Sequence, residues 1–143
     1  MNLIKIQQEA IKSLCNGTKV RCMVLADDNV LVTYNFITAY VVRKADLYLD
    51  PDKLLGDKYV VVPENHKQRE AEKTGVLVET GGVLLRKFKT SSGNAYAQEK
   101  ELKLFDKYAR FFYCDNAFYV YENGERFAGI VMAFKHEEEI DNG

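Results

Sequence analysis

The stretch Ala117-Phe118-Tyr119-Val120-Tyr121-Glu122-Asn123-Gly124-Glu125-Arg126-Phe127-Ala128-Gly129-Ile130-Val131-Met132 sets the fold class. Aromatic and β-branched residues crowd its two ends, and such side chains suit a pleated, half-buried surface. Between them Asn123-Gly124 is the strongest short-range sign of a type I′ turn, so the stretch predicts a β-hairpin. Gly129 inside the second strand marks a bulge or a close approach of another backbone.

Working outward, Arg110–Cys114 is a third strand-like run, and Gln98–Ala109 before it has helical spacing, with Leu102, Phe105 and Ala109 on one stripe beside Tyr108. The same order occurs near the start of the chain. Asn2–Cys15 places Leu3, Ile6, Ala10 and Leu14 at helical intervals, with Ile4, Ile11 and Cys15 beside them, and Asn16-Gly17 supplies a stop. Lys19–Leu25, Val30–Phe36 and Thr38–Arg43 follow as strands, the first two joined by the Ala26–Asn29 turn. A helix followed by a three-stranded meander is thus written twice, and the class is α+β.

The middle reads differently. Asp50-Pro51-Asp52 starts a short helix through Leu55 with proline in its first turn, closed by Gly56. Tyr59–Val62 is a compact strand. Glu64–Thr74, rich in Lys and Glu, reads as an exposed connector and divides one domain (1–143) into half-units 1–63 and 75–143. Val76–Glu79 and Val83–Phe88 enclose Thr80-Gly81-Gly82 as another hairpin, and Thr90–Asn94 is a turn cluster.

The chain has 143 residues, 47% hydrophobic and 29% charged, with a formal net charge of −1. That length suits one domain, and that charge argues against a surface that coats nucleic acid everywhere while leaving room for a local basic face. Three cysteines, an odd number, make a poor disulfide framework and, with no signal peptide, suggest a reducing, cytoplasmic setting. No apolar run reaches the ~20 residues a membrane helix needs. Glu137–Asp141 is an acidic run expected to be a solvated tail.

Chemistry-bearing groups are few. Lys100, Lys103, Lys107 and Arg110 recur at three- and four-residue steps on one side of the second predicted helix, with Lys5, Lys12 and Lys19 near the first. Such cations contact successive phosphates, or simply form a solvated outer face, and Glu99, Glu101 and Asp106 dilute their field. Cys15, Cys22 and Cys114 with His66 and His136 lack zinc spacing, and the thiols read as core residues. Gly75, Gly81 and Gly82 fit hairpin turns and lack the spacing of a phosphate-binding loop. No metal or cofactor is expected. Phe112 and Phe118 are assigned to the core. Tyr113, Tyr119 and Tyr121 stay open between core packing and base stacking.

The segment Tyr119–Met132 resembles the closing hairpin of bacterial sliding-clamp domains, and Asn35–Arg43 is placed like the clamp strand that follows the first hairpin. The doubled helix-plus-strands unit is also how a clamp domain is built. Ala133 stands where the clamp terminus commonly has proline, and the chain matches in length one of a clamp subunit's three domains, so a ring requires several copies. The resemblance implies two half-units packed as one DNA-clamp-like domain. It implies a non-enzymatic processivity factor or accessory protein in DNA replication, phage-encoded and homo-oligomeric. Its partners are double-stranded DNA and a replication protein, with no membrane. Lys5, Lys12, Lys100, Lys103, Lys107 and Arg110 then contact the DNA backbone, and an apolar groove holds client peptides. The alternative is a protein-interaction or inhibitor module that binds no nucleic acid. A third reading, a small enzyme with Cys114 or a Tyr in its chemistry, rests on fold-level analogy.

Overall fold

A computed structural model describes residues 1–17, 20–54, 62–64 and 67–135. The strand Tyr59–Val62 (in its residues 59–61), Lys19, Gly56, His66, His136 and the acidic run Glu137–Asp141 lie outside the described residues.

Helix α1 (Leu3–Cys15) begins where the Asn2 side chain accepts the Lys5 N–H at 3.1 Å, the usual service of an N-cap. Of the predicted apolar stripe, Ile6 and Ala10 are buried, while Ile4, Ile11, Leu14 and Cys15 are exposed. Gln7 is buried in their place. Its amide donates to the Asp46 carbonyl at 2.7 Å and accepts the Tyr48 N–H at 2.6 Å, which fastens the segment after the first meander to the helix.

That meander is β1 (Arg21–Val24), β2 (Asn29–Thr33) and β3 (Thr38–Arg43), all antiparallel. Asp27 and Asp28, both at positive φ, make the first turn. At the second, the Asn35 carboxamide oxygen accepts the N–H groups of Ile37 and Thr38, and Phe36 is held at φ +59° and points to solvent. The helix predicted around Pro51 is one 3-10 turn, Pro51–Lys53, whose following Leu54 carbonyl accepts the Cys22 N–H at 2.8 Å.

The acidic and basic residues after Gln68 belong to a strand. β4 (Arg69–Thr80) takes in much of the expected connector, because Ala71 fills a core position while its charged neighbours face water. Its first residues pair with the third-last strand of the chain and its later ones with β5 (Val83–Thr90), across a register shift between Lys73 and Leu77. β6 (Gly93–Gln98), not foreseen in the sequence, continues from the Ser91-Ser92 turn.

The second predicted helix is far shorter than Gln98–Ala109. Only Glu99–Leu102 forms α2, a single turn. The bonds then tighten, with the Leu104 N–H to the Glu101 carbonyl and the Phe105 N–H to the Leu102 carbonyl, and a further turn closes between Ala109 and Asp106. These turns drive Phe105 into the core, its ring centroid 5.3 Å from that of Tyr40. A helix continued to Ala109 would carry the chain past that position.

β7 (Arg110–Cys114), β8 (Ala117–Glu122) and β9 (Arg126–Met132) form the second meander. β3 and β9, each the third strand of its meander, pair antiparallel, with Ala39 opposite Ile130 and Tyr40 opposite Gly129. The nine strands lie in the order β1-β2-β3-β9-β8-β7-β4-β5-β6. The far edge then bends back. Tyr96 of β6 exchanges backbone hydrogen bonds of 2.9 and 2.7 Å with Phe134, two residues beyond β9. Strands β9, β8, β7, β4, β5 and β6 thereby curl into a closed layer around Phe88, Phe111 and Phe118. The architecture is α+β, two helices against a mostly antiparallel sheet.

Register corrects one aromatic assignment. Phe111 sits opposite the fully buried Val120 and faces the core, so Phe112, expected there, is half-buried on the other side of the sheet. Phe118 is fully buried as expected, and Tyr119 is buried too. No described helix is long and apolar enough to cross a membrane.

Candidate functional site

The two helices carry three of the six predicted cations, Lys5, Lys12 and Lys100, and they meet. The Asn2 N–H donates to the Leu104 carbonyl at 2.7 Å, which ties the start of α1 to the turn after α2. Between them opens a cleft of about 630 Å³, lined by Lys5 and Glu9 from α1, Tyr34 and Asn35 from the end of the first hairpin, and Lys100 and Glu101 from α2. Lys5 and Lys100 therefore share one cleft. Lys12 is exposed on α1, and Lys103 and Lys107 are exposed in the turns after α2.

Of the three acids expected to weaken this field, Glu99 and Glu101 are turned inward, while Asp106 is exposed and paired with the N-terminal ammonium at 2.8 Å. Glu101 is 1% exposed, and its carboxylate accepts hydrogen bonds from the Asn35 amide at 2.8 Å and the Tyr40 hydroxyl at 2.9 Å. Glu99 is buried against Arg86, whose Nε donates to it at 2.6 Å. Glu122 is also buried and accepts the Asp106 N–H at 2.7 Å. Lys5 is bridged to Glu9 at 3.3 Å across one helical turn, an exposed pair that contributes little.

Tyr34 and Tyr40 stack with centroids 5.9 Å apart beneath the cleft. Burial pushes the Tyr34 hydroxyl up to about 12, and burial with the Glu101 charge pushes Tyr40 higher still. Both phenols stay protonated at neutral pH, and the Tyr40 hydroxyl donates to Glu101. The sequence reading missed this Tyr34, Asn35, Tyr40 and Glu101 cluster. Its signal was the four-residue spacing from Glu101 to Phe105, which puts the acid on the apolar side of the turn.

The remaining predicted cations diverge. The Lys107 ammonium sits over the Tyr108 ring, 4.9 Å from its centroid. Arg110 is not on a helix: it opens β7 and, alternating with Phe111, lies on the sheet side that carries Phe112, away from the helices. There Glu70 clamps it through two hydrogen bonds of 2.9 and 2.7 Å, and Arg110 holds the Glu70 carboxyl below the usual carboxylate range. On that same side of the sheet an apolar depression of about 680 Å³ runs between Phe36 and Ile37 and the β9 residues Ile130 and Met132.

The thiols sit apart. Burial pushes Cys22 up to about 11, and burial with the Asp115 charge raises Cys114, so neither is a thiolate at neutral pH. Among the described residues, no three His, Cys, Asp or Glu side chains are grouped to hold a metal ion. Comparison with protein-family models, curated proteins and solved structures found no match to this chain.

Proposed function

We propose that the protein is a non-enzymatic accessory factor of DNA replication that contacts the duplex backbone through its helical face. The observation that carries this reading is the sorting of charge at α2. Glu99 and Glu101 point inward to Arg86, Asn35 and Tyr40, while Lys100 lines the cleft with Lys5, and Lys12 and Lys103 are exposed on the same two segments of chain. Flexible ammonium groups in and around such a cleft suit phosphates spaced along a backbone and read no sequence. A clamp-like role is supported by the doubled helix-plus-meander order and by the antiparallel pairing of β3 with β9. Arg110 is left out of the contact set, since Glu70 occupies it on the other side of the sheet.

A salt titration of affinity for a duplex of about 30 base pairs tests the reading. Four phosphate contacts give a slope of log K against log salt near −3.6, at about 0.9 per contact. Replacing Lys100 and Lys103 with Glu lowers the slope by about 2. Binding with no salt dependence, or unchanged in that variant, contradicts it.

A further inference from the structure

Among the described residues the curled layer closes through one residue pair. The Tyr96 N–H donates to the Phe134 carbonyl at 2.9 Å, and the Phe134 N–H donates to the Tyr96 carbonyl at 2.7 Å. The two chains run antiparallel there, and a pair that exchanges both bonds recurs at every second residue of such a ladder. β6 ends the strand order, with β5 on its other side. Because the backbone groups of Tyr96 face Phe134, alternation aims those of Asn94 along the same edge.

We propose that the chain beyond Lys135 is a strap that continues this pairing along β6. The register of Tyr96 with Phe134 sets the partners. Two residues back along β6 is Asn94, and two residues on from Phe134 is His136. The His136 N–H donates to the Asn94 carbonyl, and the Asn94 N–H donates to the His136 carbonyl. Glu137 then lies opposite Gly93 with its N–H pointing away from β6. Glu138 and the residues after it overrun the ladder at the Ser91-Ser92 turn.

Charge and tethering both select the chain's own segment as occupant. On β5, Lys87 stands opposite Tyr96 and Lys89 opposite Asn94, so the strand beside this path carries cations. The run Glu137–Asp141 brings acids to that end of the sheet. The segment is already fixed at Phe134, so its pairing is intramolecular and needs no second molecule to be captured. An open edge is a template for another chain, and a strap attached at Phe134 covers it. The strap uses none of Lys5, Lys12, Lys100 or Lys103, so the proposal stands apart from the DNA reading.

Amide hydrogen exchange on the full chain tests it. The His136 N–H should exchange about tenfold or more slowly than the Glu137 N–H, since only the first points at β6. His136→Pro removes that donor and should speed exchange at Asn94 by about tenfold. Glu137→Pro removes an outward N–H and should leave Asn94 unchanged. The Val120 amide, in the core, reports in each variant that the fold is intact. His136 and Glu137 exchanging alike, at the rate of an unstructured peptide, overturns the proposal. So does an Asn94 amide that responds to neither proline, or to both equally.

Discussion

At the residue scale, Gly129 is the tightest position. A methyl group there would meet the Ala39 carbonyl oxygen and lie 2.8 Å from the Phe105 ring. Glycine is needed so that β3 and β9 can approach beneath Phe105, and Gly129→Ala should destabilise by about 2–3 kcal/mol in urea unfolding. Glu101 is next. Glu101→Ala strands the Asn35 amide and the Tyr40 hydroxyl, and a loss of about 2–3 kcal/mol is expected, with Glu101→Gln milder.

Titration adds a direction at the same scale. Burial pushes the Tyr34 hydroxyl up to about 12 and the Cys22 thiol up to about 11, above their ordinary values of 10.0 and 9.0. A raised acid stabilises fully below its unfolded pKa and loses that contribution as pH rises toward the folded one. The urea midpoint should hold up to about pH 9 and fall progressively between pH 9 and 12. Tyr34→Phe with Cys22→Ala should flatten that decline. A midpoint that rises over the interval contradicts the burial of these groups.

At the element scale, legibility followed local chemistry. Thr38–Arg43 was readable to the residue because alternating apolar side chains and flanking turns agree there. The Asn123-Gly124 turn was readable for a similar reason. Both residues adopt positive φ, at 51° and 88°, although the register leaves three residues in the loop and adds a shift between Val120 and Tyr121. Elements decided by distant partners were not readable. β6 contains Gly93, Asn94 and two alanines, poor strand formers, and is held by β5 and by the Tyr96–Phe134 pair. The second helix had sound periodicity, yet one turn survives because Phe105 has to reach Tyr40. Phe105→Ala should therefore cost about 3–4 kcal/mol and loosen the contact between α2 and β3, seen as faster amide exchange at Glu101 and Leu102.

At the scale of the whole molecule, the duplication is one of topology, while size and closure differ. Each helix leads into a meander and the meanders join through their third strands, but only the second recruits β4, β5 and β6 and curls shut. The candidate site was half legible. Lys5 and Lys100, far apart in sequence, do line one cleft. Arg110 follows the same spacing yet lies on the opposite side of the sheet, because the helix that would have carried it ends at Leu102.

On the proposed reading a basic face forms where α1 meets α2, with Glu99 and Glu101 buried behind it. Amide chemical shifts recorded while a short DNA duplex is added test it most directly. The account predicts movement at Lys5, Lys12, Lys100 and Lys103, reversed by added salt, with Arg110, Phe112 and Tyr121 unmoved. Shifts confined to the Arg110 side of the sheet, or none at low salt, would contradict it.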